Sequence, residues 1–98
     1  MKHGHEMLKE AARVIKERGD SYGPMHLNME RIATLWSVCL NLPVTPVQVA
    51  MCMVAVKLAR LVQTPKHQDS ATDIAGYAAV LRECQIGPIS VSEGKETE

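Results

Sequence analysis

Two cations, Lys57 and Arg60, stand three residues apart in the stretch KLARLVQTPKHQDSATDIAGY, residues 57–77. Two carboxylates, Asp69 and Asp73, stand four apart, and Tyr77 follows after four more. Such spacings place side chains on one face of a helix. The stretch reads as the end of one helix, a turn containing Pro65, and the start of another. If the helices fold back on each other, Arg60 reaches the height of Asp69, and Lys57 that of Asp73 one turn deeper. One outcome is two interhelical ion pairs, each contributing at most about 1 kcal/mol where exposed. The other is a polar pocket. Lys57 and Arg60 would hold phosphate oxygens, the arginine in bidentate fashion. Asp69 and Asp73 would share a magnesium ion, which takes oxygen ligands and retains water and substrate phosphate. Tyr77 would stack on or hydrogen-bond to a base, and His67 would add a polar group. Lys57 interrupts an otherwise apolar helix, and the charges cluster with Gly76 and Tyr77. Both features favour the pocket.

Other residues offer less. Tyr22 sits within RGDSYGP, residues 18–24, where it either packs on the end of a bundle or covers a ligand ring. Asn28 shares a turn with His26 and either faces the same site or is solvated. Ser70 lies between the two aspartates, where a helix cap accounts for it. No nucleophile–base arrangement, P-loop, GxGxxG or HExxH motif is visible. Nothing in the sequence sets the two aspartates apart as acid and base.

These residues need a scaffold, and composition narrows it. The chain of 98 residues suits one domain. Its apolar content is 46%, but only 3% is aromatic and Phe is absent. A core of Ala, Val, Ile, Leu and Met favours helix packing. Formal charge is zero, with 11 cations against 11 anions, which argues against duplex nucleic acid or an anionic membrane as partner. Cys39, Cys52 and Cys84 are odd in number and lack CxxC spacing, so they read as small buried hydrophobes of a reducing compartment. No signal-peptide pattern opens the chain, and the apolar run Val49 to Val56 is too short to span a bilayer. A cytoplasmic location is expected.

Four helices follow from the periodicity. The first runs over residues 6–18, with Leu8, Ala11, Ala12 and Ile15 facing inward and Gly19 as its stop. The second covers 25–40, with Leu27, Ile32, Leu35, Trp36 and Cys39 inward, and ends before Pro43. Thr45–Pro46 opens the third, 46–62, as N-cap and first residue. That helix is apolar all round from Val49 to Val56, which predicts self-association near it. The fourth begins at Asp69 or Ser70 and runs to Cys84, with Ile74, Ala78 and Leu81 as its stripe. Gly76 costs about 1 kcal/mol within it and suits the close approach of a helix or ligand. Residues 1–5 are expected to be a flexible N-terminus, 6–85 the bundle domain, and 86–98 a disordered tail.

The segments RGDSYGP, HLNMERIATLW, KLARL and HQDSATDIAGYAAVL, in that order, resemble a small helical domain family of uncharacterised function from phages and prophages. The resemblance spans about residues 10–82 and implies a phage or prophage origin. More distantly, the four-helix plan is similar to the MazG-type all-α nucleoside triphosphate pyrophosphatases, which hold magnesium with an ExxE and an ExxD pair. Asp73 matches the final Asp of that pattern. Ser70 stands where its Glu would be, Asp69 is out of step by one, and no ExxE occurs.

The sequence thus predicts an all-α, compact four-helix bundle, built as two helical hairpins and oligomeric. It would bind a nucleotide or nucleotide-like phosphate ligand, as in sequestering a host nucleotide signal. Lys57, Arg60, Tyr22, Tyr77, Asn28 and His67 are the candidate ligand contacts, with Asp69 and Asp73 for magnesium. The alternatives are magnesium-dependent pyrophosphate release from a nucleoside triphosphate, and an interaction protein in which the charges only fix the hairpin.

Overall fold

The computed structural model describes residues 3–86, apart from the side chain of Tyr22. Four helices occupy this span: α1 Gly4–Tyr22, α2 Met25–Leu40, α3 Pro46–Gln63 and α4 Gln68–Ile86. There is no strand among the described residues. α3 and α4 form the most extensive hairpin, and α4 also packs on α1 and α2. Among the described residues α1 and α3 do not pack on each other. That leaves a space between them whose floor is α4.

Each helix end has a local cause. Gly19 does not stop α1; the helix runs on to Tyr22 and closes at Gly23, whose φ of +86° suits only glycine well. The expected connection 18–24 therefore shrinks to Gly23 and Pro24. α2 ends on Asn41 in the left-handed conformation, φ 56°, a position Asn tolerates better than most residues. Ser37 then clamps the loop. Its hydroxyl donates to Ala33 O at 2.7 Å and accepts from Val44 N–H at 2.9 Å. α3 starts as expected, with Thr45 Oγ1 accepting from Gln48 N–H at 3.1 Å and Gln48 Oε1 accepting from Thr45 N–H at 2.9 Å. This capping box satisfies two donors that a helix start leaves free.

The core is small. Met29, Ala33, Val49, Ala50 and Val80 form its buried cluster, with Trp36, Met53 and Leu81 packed against it. Ala11 is buried on α1. Several expected inward positions are outside. Leu8 and Leu35 are more than half exposed, and Ala12, Ala78, Cys39 and Cys52 are exposed too. The inward face of α1 is Ala11, Val14 and Ile15, while α2 turns Met29 and Ala33 inward. α4, covered by three neighbours, has no single apolar stripe. Of the three cysteines only Cys84 is part-buried; loss of water, then the charges of Glu30 and Glu83, push its thiol pKa up.

The run Val49 to Val56 understates α3. The whole helix, 18 residues with mean hydropathy 1.3, is long and apolar enough by composition to cross a membrane. The first helix begins at Gly4, so residues 4 and 5 are helical where a flexible end was expected. The tail expected after α4 lies, from residue 87, outside the described residues.

Candidate functional site

The space between α1 and α3 is an open cleft of about 230 Å³. Ala11, Val14, Ile15 and Arg18 of α1 make one wall, and Lys57 of α3 stands in the other. The floor is the α4 face formed by Thr72, Asp73, Gly76, Tyr77 and Val80, with Met25 of α2 at the side. These positions follow from helical spacing. Residues 11, 14, 15 and 18 share one face of α1, as 73, 76, 77 and 80 do on α4.

Lys57 Nζ lies 3.1 Å from Asp73 Oδ2, with the lysine side chain 23% exposed and the aspartate 38%. The expected deeper pair is therefore formed. At this exposure it contributes about 1 kcal/mol or less to stability. The expected outer pair is not formed, because Arg60 and Asp69 make no ion pair and both are exposed. Neither lines the cleft. Asp69 instead sits in the first turn of α4, where the helix dipole favours a carboxylate.

His67 has a structural task that sequence reading gave to Asp69 or Ser70. Its Nδ1 accepts from Ser70 N–H at 3.1 Å and lies 2.8 Å from Ser70 Oγ. An imidazole thus caps α4, and Ser70 is buried at its third position. Replacing His67 with Ala should cost about 1 kcal/mol, lowering the melting temperature by roughly 4–8 °C. Asn at 67 should recover most of the loss, and thermal denaturation followed by circular dichroism checks both. Asn28 is half-buried on α2 but does not line the cleft. The side chain of Tyr22 is outside what the structure describes, so its expected position over a ligand has no geometry to set against it.

The cleft thus brings together Lys57, Asp73 and Tyr77 and adds Arg18, an exposed residue on the opposite wall. Arg18 is absent from the sequence candidates because it stands at the junction of the expected helix 6–18 and the connection 18–24. The spacing Ala11, Val14, Arg18 carried the signal. Gly76 is equally informative. A Cβ built on it would meet only Ile15 Cγ1, at 4.0 Å, so packing within the chain does not require a glycine there. The cleft floor is bare backbone where a methyl group would fit.

The two carboxylates expected to share magnesium do not line one cleft, since Asp73 faces it and Asp69 does not. Among the described residues no three His, Cys, Asp or Glu side chains gather to hold an ion. The cleft offers one carboxylate, already paired with Lys57. What the arrangement can do is bind: two cations and one anion line the walls, beside an aromatic ring, a hydroxyl and apolar side chains. The volume sits below the roughly 300–1,000 Å³ of sites that enclose a drug-sized ligand. It suits one ring or one phosphate group at a time, with the rest of a ligand outside.

Comparison with known proteins places the chain. The family described as Domain of unknown function (DUF6378) matches residues 6–85. The Gene 55 protein of Mycobacterium phage L5 is 44% identical over 71 residues, covering 71% of this chain and 46% of that protein. The Gene 55 protein of Mycobacterium phage D29 is 38% identical over 84 residues, covering 85% of this chain and 56% of that protein. The chain thus spans about half the length of these curated relatives. No solved structure matches.

Proposed function

For a chain that belongs to the DUF6378 family, a helical family with phage members and no stated activity, we propose that the α1–α3 cleft binds a nucleotide-like phosphate ligand without cleaving it. The observation that carries this reading is the half-buried Lys57 opposite Arg18, above a floor left bare at Gly76. Lys57 would exchange part of its contact with Asp73 for a phosphate oxygen, in a setting where water screens the charges less than at an open surface. Arg18 reaches in from the far wall. Tyr77 and the apolar residues Val14, Ile15 and Met25 offer surface for a ring. The net charge of the lining is +1, counted as Arg18 and Lys57 against Asp73. That charge offsets most of the negative charge of a single phosphate and far less of a triphosphate's, unless magnesium arrives with it and meets Asp73. In a phage-type protein such binding would withhold a host nucleotide signal.

Melting the protein against a panel of nucleoside mono-, di- and triphosphates, with and without magnesium, tests the reading. A ligand that binds the folded chain raises stability by RT ln(1 + [L]/Kd). Stabilisation by a phosphate-bearing member, with no pyrophosphate released, is the expected result. Stabilisation only with magnesium, accompanied by pyrophosphate release, would instead make the protein a MazG-like hydrolase. A melt that no member shifts removes the ligand reading and leaves Lys57–Asp73 as a hairpin clasp.

A further inference from the structure

α3 carries its charge on one side and a bare apolar surface on the other. Met51 is 55% exposed, Leu58 52% and Val62 84%, and with Ala55 they follow one another at spacings of four, three and four residues. That is the period of a seam along which two helices lie side by side. Cys52, Val56 and Ala59 widen the surface, and all are exposed. Between Gln48 and Gln63 the only charged side chains on α3 are Lys57, turned to the cleft, and Arg60. We propose that the face formed by Met51, Ala55, Leu58 and Val62 pairs with the same face of a second copy of this chain.

The composition of the face selects that occupant. A two-fold contact sets a surface against itself, so any charge at its centre would meet its like. This seam has no charge along it. Ala55 and Ala59 stand beside Met51, Leu58 and Val62, so small residues leave recesses for the large ones of the facing helix. The interior of one chain supplies little apolar burial: three of its six buried apolar residues, Ala11, Ala33 and Ala50, are alanines. Large apolar side chains that would complete a core are outside. A stable pair buries about 800 Å² on each partner, so the contact must reach past the seam itself. The exposed Cys52, Val56 and Ala59 beside the seam add to the apolar surface on α3 itself. A lipid surface fits less well. The other side of α3 is packed on α2 and α4, whose exposed Glu30, Arg31, Arg82 and Glu83 would have to follow it into the bilayer. Because Lys57 points away from the seam, pairing leaves the cleft open, and this inference does not depend on the ligand.

Light scattering on the full chain across a wide concentration range should give twice the single-chain mass of 10.8 kDa. Leu58→Glu and Val62→Glu, both at exposed positions, should each return the single-chain mass with helicity intact, weakening the pair at least about 100-fold. In a Cys39→Ser, Cys52→Ser background, Ala55→Cys should oxidise to a covalent pair; this arm decides the matter if a glutamate variant fails to fold. A single-chain mass at every concentration would overturn the proposal, as would glutamate variants that keep the doubled mass, or an Ala55→Cys chain that does not cross-link. Flotation of a single-chain species with phosphatidylglycerol vesicles would also overturn it and assign the face to lipid.

Discussion

Lys57→Met should remove most of the thermal stabilisation conferred by a phosphate ligand while lowering the melt of the free protein by no more than about 4–8 °C. The two effects separate because the lysine stands in two relations. Toward Asp73 it is one member of a part-exposed pair, contributing about 1 kcal/mol at most. Toward a phosphate it supplies a charge-assisted hydrogen bond, which typically contributes about 1.5–3 kcal/mol, a loss of roughly 10- to 200-fold in affinity. Met keeps the length of the stem, so packing beside the cleft is preserved. Arg60→Met is the control. Arg60 lies outside the cleft, and its loss should leave ligand stabilisation intact. Thermal melts of both variants against the stabilising ligand decide the assignment; equal loss in the two would reduce the effect to net charge alone.

Gly76→Ala should move stability and binding in opposite directions. A glycine within a helix costs about 1 kcal/mol relative to alanine, and the new Cβ would meet only Ile15 Cγ1 at 4.0 Å. The free protein should therefore melt higher, by roughly 4–8 °C. The same methyl group would stand on the cleft floor and weaken ligand binding, as read by calorimetric titration. Higher stability with unchanged affinity would place the ligand elsewhere. Lower stability would mean that the glycine serves packing after all.

Much of the scaffold was legible because its signals are local. Thr45, Pro46 and Gln48 announce the start of α3 through chemistry that acts within one turn. The Lys57–Asp73 pair could be counted out from the hairpin, because helical rise and a short turn fix relative heights. Its neighbour, Arg60 with Asp69, failed by the same count: the loop from Thr64 to His67 and the cap at His67 reset the start of α4. Gly19 misled for a related reason. A glycine can end a helix but need not, and here Gly23, with its positive φ, supplies the turn. Arg18 lines the cleft because it shares the helix face of Ala11, Val14 and Ile15, while the extension adds only residues 19–22. The inward faces of α1 and α2 were blurred because much of the apolar surface, Leu8, Leu35 and Val38 among it, points outward. Periodicity reports an apolar face but not whether the chain itself covers it.

The wall formed by α1 has a temporal consequence. This helix rests on α4, touches α2 only slightly, and is joined to the rest through Gly23 and Pro24. Elements with few tertiary neighbours open at lower free energy than the global transition. The cleft is therefore bounded on one side by the part of the fold that undocks most readily. How long a ligand stays would be governed by the lifetime of the α1–α4 contact, so residence time could be tuned at Ala11 or Ile15 without touching a single charge.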